Sequence, residues 1–101
     1  MVTCYANKYN IDQKLAHYIV SNESKYKPNA VGDMSITCRS GVNKGLPVRA
    51  RGLVQITQCY YPNITDKQAF DPVFSLKFGM KLMADKKTCM SQFSTCRRYY
   101  Q

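Results

Sequence analysis

Apolar residues recur at helical spacing near the start of the chain. Four of them stand at positions i, i+4, i+7 and i+8, namely Ile11, Leu15, Tyr18 and Ile19. Asn10 or Asp12 can cap the start of this helix. Pro28 must follow its end, because the residue before a proline avoids the helical conformation. We therefore predict a helix with its last turn at residues 22–25.

The middle of the chain gives weaker signals. Residues 33–51 contain two glycines and a proline, which indicates an irregular or hairpin-like segment. A short helical segment is expected to start at Arg51 or Gly52 and to end before Pro62. Its apolar pattern is too brief to separate helix from strand.

The second half of the chain predicts further helices. Asp71 followed by Pro72 is a strong helix start, an N-cap with proline in the first helical position. Apolar side chains cover most of the circumference from there to Lys86, which is typical of a central helix. A last helical piece carries Phe93 and Tyr100. The sum is a single domain over residues 1–101 that is mainly α, with a short hairpin or irregular element after the first helix. The alternative is an α+β domain in which residues 36–57 form a larger sheet.

Five cysteines add little to this description. They form no CxxC pair, and only one histidine could join them, so we expect no zinc site and no other metal or cofactor. On an unbroken helix Cys89 and Cys96 would be about 10 Å apart, too far for a disulfide. Bridging them would require a helix break near Ser91–Thr95. Alternatively, most of the cysteines are small buried apolar residues.

A net charge of +9 would attract nucleic acid, an acidic membrane or another anionic polymer. The chain has no recognisable nucleic-acid-reading motif, so no specific nucleic acid is expected. It also has no apolar run of about 18 residues that could span a membrane. The first residues lack the apolar run of a signal peptide.

Glu23 is the residue most suited to acid/base chemistry. The predicted helix ends just after it, so its carboxylate faces the negative end of the helix dipole. It also flanks the apolar stripe, and burial would raise its pKa in the same direction as the dipole. Both effects favour a general acid that keeps its proton near neutral pH. The ordinary alternative is a solvated glutamate paired with Lys25 or Lys27.

Glu23 belongs to the first of three motifs that follow one another along the chain. NESKYKPNAV contains Glu23, ARGLVQIT follows at 50–57, and FDPVFSLKFGMKLM begins at Phe70. In this order, with RRYYQ at the end, they resemble the soluble lytic transglycosylase family, which has a lysozyme-like fold. The resemblance covers about residues 12–101. It implies cleavage of the β-1,4 bond between N-acetylmuramic acid and N-acetylglucosamine in peptidoglycan.

The resemblance also assigns roles to single residues. Glu23 would be the acid/base, Gln55 would contact the sugar beside Val54, Ser24 would support the glutamate, and Tyr99 would lie near it. Val54 departs from the family's usual methionine. Tyr100 stands where asparagine is typical.

One carboxylate suffices for a lytic transglycosylase, which leaves an anhydro-muramic end. Ordinary glycosidases use two, and Asp33 is the only acid close to Glu23 in sequence that could serve as a partner. The remaining aspartates, Asp12, Asp66, Asp71 and Asp85, are predicted to be helix caps or solvated residues. The sequence is also compatible with a non-catalytic wall-binding module and with a basic nucleic-acid or membrane-active protein.

We expect the chain to act in the bacterial cell wall or periplasm. It would be carried there by a virion such as a phage tail, through a lysis pore, or within a larger polypeptide. A basic rim of the groove is predicted from Lys25, Lys27, Arg39, Lys44, Arg49 and Arg51.

Overall fold

The structure, a computed structural model, describes residues 1–101. It contains six helices and no extended sheet. The helices are α1 Val2–Lys8, α2 Gln13–Ser24, α3 Asp66–Phe70, α4 Pro72–Ala84, α5 Lys86–Gln92 and α6 Ser94–Tyr99. Strand pairing is confined to three isolated bridges within residues 31–56. The mainly α fold with an irregular element after the predicted first helix is therefore confirmed, and the larger sheet over 36–57 does not form.

Helix α2 has the bounds that its sequence signals predicted. Asp12 is the N-cap and accepts a hydrogen bond from the Lys14 amide at 2.9 Å. Lys25 ends the helix in the left-handed conformation, with φ of 53°. Leu15 and Ile19 are buried against the core, whereas Tyr18, predicted on the same stripe, is 59% exposed.

Helix α4 is the central helix of the domain. Asp71 caps it by accepting hydrogen bonds from the amides of Val73 and Phe74. Leu76 and Met80 are fully buried, and the helix packs against α1, α3 and α5. It ends before Asp85, which caps α5 through the Thr88 amide. The predicted capping roles of Asp12 and Asp71 are thus confirmed, whereas Asp85, expected within a helix that runs to Lys86, ends α4 and caps α5.

The prediction of a helical segment starting at Arg51 or Gly52 is wrong. Residues 52–55 form a turn, and Arg51 pairs with Ile56 across it. Gly52 and Gln55 have φ values of 81° and 57°, in the left-handed region that a right-handed helix excludes. A side chain at position 52 would also lie 2.0 Å from the carbonyl oxygen of Ala69. This close approach is a tertiary contact that the local pattern does not contain.

Two short helices were not expected. Helix α1 packs against α2 and α4, and Val2 and Ala6 join the core. Helix α3 begins with a capping box in which Thr65 and Gln68 satisfy each other's backbone amides.

Two disulfides fix the loops and the end of the chain. The helix breaks at Phe93, between α5 and α6, and Cys89 and Cys96 form a disulfide with a Cα–Cα distance of 5.8 Å. This is the helix break that a disulfide between these two cysteines requires. A second disulfide, Cys38–Cys59, ties the loop after α2 to the segment before α3. None of the six helices is both long and apolar enough to cross a membrane.

Candidate active site

Glu23 is held in the last turn of α2, next to a rigid chain reversal. The left-handed residues Lys25 and Tyr26 turn the chain there, and the Lys25 amide donates to the Ser21 carbonyl at 2.9 Å. The side chain of Glu23 is half-buried and lies at the edge of an open cleft of about 270 Å³. The helix terminus therefore directs this carboxylate into the cleft.

The surroundings of Glu23 favour its protonated form. Burial raises the pKa of the Glu23 carboxyl above its ordinary value, and the nearby Arg98 guanidinium partly opposes this shift. No side chain or backbone group of the chain forms a hydrogen bond or an ion pair with this carboxylate. The group is therefore partly desolvated and is free to exchange a proton with a molecule in the cleft.

Gln55 lies in the same cleft, at the end of the turn formed by residues 52–55. Its side-chain amide donates to the carbonyl oxygens of Gly52 at 3.0 Å and Ala30 at 3.3 Å. Both N–H groups are thus satisfied by backbone, and the side-chain oxygen remains as an acceptor. A non-glycine residue with positive φ stores strain, which is common at functional sites where the surroundings fix the conformation.

Val54 and Ser24 have different relations to the cleft. Val54 is buried, lines the cleft and packs against α4 at Gly79. Ser24 is buried outside the cleft lining, and its hydroxyl donates to the Val20 carbonyl at 3.0 Å. Ser24 is therefore bonded within α2, the helix that carries Glu23, whereas Val54 forms part of the cleft wall.

Tyr99 is not brought into the cleft. Its hydroxyl donates to the Asp12 carboxylate at the start of α2, eleven positions before Glu23. At a rise of about 1.5 Å per residue, roughly 16 Å of helix separates these two positions. Tyr99 therefore lies outside the lining of the cleft that contains Glu23, and it lines a separate recess with Asn22 and Arg98.

Asp33 lies outside the cleft as well. It is exposed and accepts hydrogen bonds from the amide and the hydroxyl of Ser35, which lower its pKa below the ordinary value. Glu23 is the only acidic residue that lines the cleft.

Aromatic residues form a wall of the cleft that was not predicted from the sequence. The ring of Tyr61 meets Phe78 edge to face at 4.8 Å, and its hydroxyl donates to Gln92 at 3.4 Å. Tyr60 lines the cleft beside them. The only local signal was the Tyr60-Tyr61 pair directly after Cys59, which does not indicate a direction for either ring.

The predicted basic rim needs correction at Arg51 and Arg49. Arg51 is 2% exposed and donates to the carbonyls of Ile56 and Ile64 and to the Asp66 carboxylate. Arg49 binds the same carboxylate at 3.0 Å. Arg51 is thus a buried residue whose hydrogen bonds connect the turn that contains Gln55 to the start of α3. The exposed basic residues of this region are Lys25, Lys27, Arg39 and Lys44.

A small, mainly helical domain with one half-buried carboxylic acid in an open cleft is typical of lysozyme-like proteins. The family model described as Transglycosylase SLT domain matches residues 1–97. The chain therefore belongs to the SLT transglycosylase family, whose members act on the peptidoglycan of the cell wall. No curated protein and no solved structure gives a significant match.

Proposed function

We propose that this chain is a lytic transglycosylase in which Glu23 is the only acid/base residue. The bond cut is the β-1,4 bond between N-acetylmuramic acid and N-acetylglucosamine. The observation that carries the proposal is the half-buried Glu23 carboxyl, with a raised pKa and no partner within the chain, in a cleft that also contains Gln55. A poised acid of this kind has no use in a module that only binds.

The proposed reaction uses Glu23 twice. The protonated carboxyl donates its proton to the glycosidic oxygen while the bond from this oxygen to C1 of the muramic residue breaks. The carboxylate then takes the proton from the muramic 6-hydroxyl, whose oxygen closes on C1. Glu23 is protonated again at the end, and no water is consumed. The product is a 1,6-anhydro-muramic end.

A raised pKa suits both steps. It increases the protonated fraction of Glu23 at a given pH and makes the carboxylate a stronger base once the proton has been donated. The absence of a second acid from the cleft lining supports this route over a two-carboxylate muramidase that would use Asp33. The free side-chain oxygen of Gln55 supports a contact with an N–H or O–H group of the sugar.

Product analysis tests the proposal. Purified peptidoglycan is digested by the wild type, by Glu23→Gln and by Asp33→Asn, and the fragments are identified by mass spectrometry. We expect anhydro ends from the wild type and from Asp33→Asn, and no cleavage by Glu23→Gln with an unchanged circular dichroism spectrum. Asp33→Asn is a matched control, because it removes the charge of the second candidate acid.

Three different results would each indicate another function. Reducing ends that disappear in Asp33→Asn would indicate the two-carboxylate muramidase. Equal binding of cell wall by the wild type and Glu23→Gln, with cleavage by neither, would indicate a wall-binding module. Strong salt-dependent retention on DNA without wall activity would indicate a nucleic-acid-binding protein.

The proposed place of action is the bacterial cell wall or periplasm. Delivery in a virion, through a lysis pore or within a larger polypeptide predicts different locations for the chain. Immunodetection in purified particles and in periplasmic fractions, with the apparent size of the detected chain, distinguishes the three routes.

A further inference from the structure

The loop of residues 33–50 is a rigid attachment beside the cleft. The Cys38–Cys59 disulfide joins it to the segment that carries Tyr60. Within the loop, the Cys38 amide donates to the Leu46 carbonyl at 2.8 Å. The Gln58 amide donates to Val48 at 3.1 Å and adds a second link to the segment before α3. The position of this loop relative to the cleft is therefore fixed by covalent and hydrogen bonds.

A second hollow, of about 410 Å³, lies between this loop and Tyr60. We call it the loop hollow. Tyr60 lines both the loop hollow and the cleft that contains Glu23, and no other residue does so. Its side chain is 75% exposed, whereas its neighbour Tyr61 is held by Phe78 and Gln92. Tyr60 thus offers an exposed aromatic ring that borders both recesses.

The lining of the loop hollow suits a sugar ring. Ile36 and Val48 provide apolar surface beside the ring of Tyr60, and Thr37 and Ser40 provide hydroxyl groups. A pyranose has the same mixture, with apolar C–H faces and a rim of hydroxyls, and aromatic side chains with one polar end bind such amphipathic groups well.

The charge around the loop hollow is positive. Arg39 lines it and Lys44 lies in the same loop, and neither forms an ion pair within the chain. Peptidoglycan carries carboxylates along its glycan strands, so these two cations complement the polymer. The shared residue Tyr60, its exposed ring and the unpaired cations all point to the same occupant.

We propose that the loop hollow binds the continuation of the glycan strand beyond the part held in the cleft, with a sugar against Tyr60 and an anionic group near Arg39. The proposal rests on the proposed function for the identity of the polymer. It does not depend on the chemistry at Glu23. A chain with this extension prefers long glycans over short ones.

Binding to a variant that cannot cut tests this directly. In a Glu23→Gln background, calorimetry gives the Kd of a peptidoglycan tetrasaccharide and of an octasaccharide. We expect the longer glycan to bind more tightly, and Tyr60→Ala to reduce this preference about tenfold. Arg39→Ala should reduce it as well, more strongly at low salt. Tyr18→Ala and Lys14→Ala remove an exposed tyrosine and an exposed lysine from α2, and should keep the preference of the parent.

Amide spectra of the same Glu23→Gln protein supply a second measurement that needs no substitution in the loop. The octasaccharide should shift the amide signals of Thr37 and Ser40, and the tetrasaccharide should not. Equal affinity for both glycans, or shifts confined to the cleft, would overturn the loop hollow while leaving cleavage by the wild type intact. Failure to bind any glycan would overturn it together with the proposed substrate. If the longer glycan binds more tightly but the wild type does not cleave peptidoglycan, the result would support glycan binding in the loop hollow. It would refute only the proposed cleavage by Glu23.

Discussion

The contact between Gly79 of α4 and Val54 of the cleft wall gives a prediction whose size follows from the geometry. A Cβ atom at position 79 would lie 2.5 Å from Val54 Cγ1 and 3.2 Å from Val54 Cβ. Carbon atoms pack at about 3.5–4.0 Å, so Gly79→Ala must displace the valine or the helix. Both positions are buried in the core.

Two effects of opposite sign set the free energy of unfolding of Gly79→Ala. Overpacking costs about 1–3 kcal/mol, and alanine in place of glycine in a helix gains about 1 kcal/mol. Val54→Ala removes two methyl groups and costs about 1.6 kcal/mol in transfer free energy, plus a cavity contribution. In the double variant the overlap with the valine methyls is gone, so Gly79→Ala should be neutral or stabilising in the Val54→Ala background. We expect a coupling of about 1–3 kcal/mol between the two substitutions.

Urea unfolding of the oxidised protein at pH 7, followed by circular dichroism, measures the free energy of unfolding. The wild type, the two single variants and the double variant are compared. Val73→Ala is a matched control, because Val73 is a partly exposed valine on the same helix, and its effect should add to that of Gly79→Ala. If the Gly79 and Val54 substitutions also add to within about 0.5 kcal/mol, the close contact does not limit packing at this position. Gly79→Ala should in addition reduce peptidoglycan cleavage, because Val54 and Gln55 are neighbours in the same turn.

Three further predictions concern Glu23 and the loop disulfide. Arg98→Ala removes the cation that lowers the pKa of Glu23, so the alkaline limb of kcat/KM against pH should move to higher pH; an unmoved limb would contradict this role for Arg98. Glu23→Gln should stabilise the fold at pH 7 by about 0.5–2 kcal/mol, measured by thermal unfolding. The raised pKa means that the folded state disfavours the carboxylate, so this gain should shrink as the pH falls through the folded pKa towards the ordinary value of 4.5; a gain that persists at lower pH would contradict it. Replacing Cys38 and Cys59 by serine opens a closure with a sequence separation of 21 residues and should cost about 3 kcal/mol in urea unfolding, whereas Cys4→Ser, at the exposed free cysteine, should cost little.

The parts of the fold that the sequence predicts well are those with local signals. Asp12 and Pro28 bracket α2, and Asp71-Pro72 starts α4, because caps and prolines act on the backbone within a few residues. The turn at 52–55 differs from the predicted helix because its left-handed residues depend on the approach of Gly52 to Ala69 in α3. Such an approach between distant residues has no counterpart in hydrophobic periodicity.

The same distinction separates the predicted from the unpredicted parts of the cleft. Glu23 and Gln55 belong to ordered motifs, and the structure brings both into one cleft. Tyr99 lies outside the cleft lining because α6, which follows the break at Phe93, packs against α2 and the Tyr99 hydroxyl donates to Asp12. The spacing of the cysteines allowed such a break but did not determine the direction of the chain after it.

The turn that carries Gln55 explains how so small a domain can keep a strained residue in place. A left-handed non-glycine residue costs on the order of 1–3 kcal/mol and persists only where its surroundings leave no alternative. Arg51 holds one side of the turn to Asp66 at 2.8 Å, and the Val54 amide meets the Ser75 hydroxyl of α4 on the other side. Gln55 completes the constraint with its own hydrogen bond to Gly52. The polar groups of the turn are therefore used for positioning, and the structure shows no hydrogen-bond partner for the Glu23 carboxyl, which lines the same cleft as Gln55.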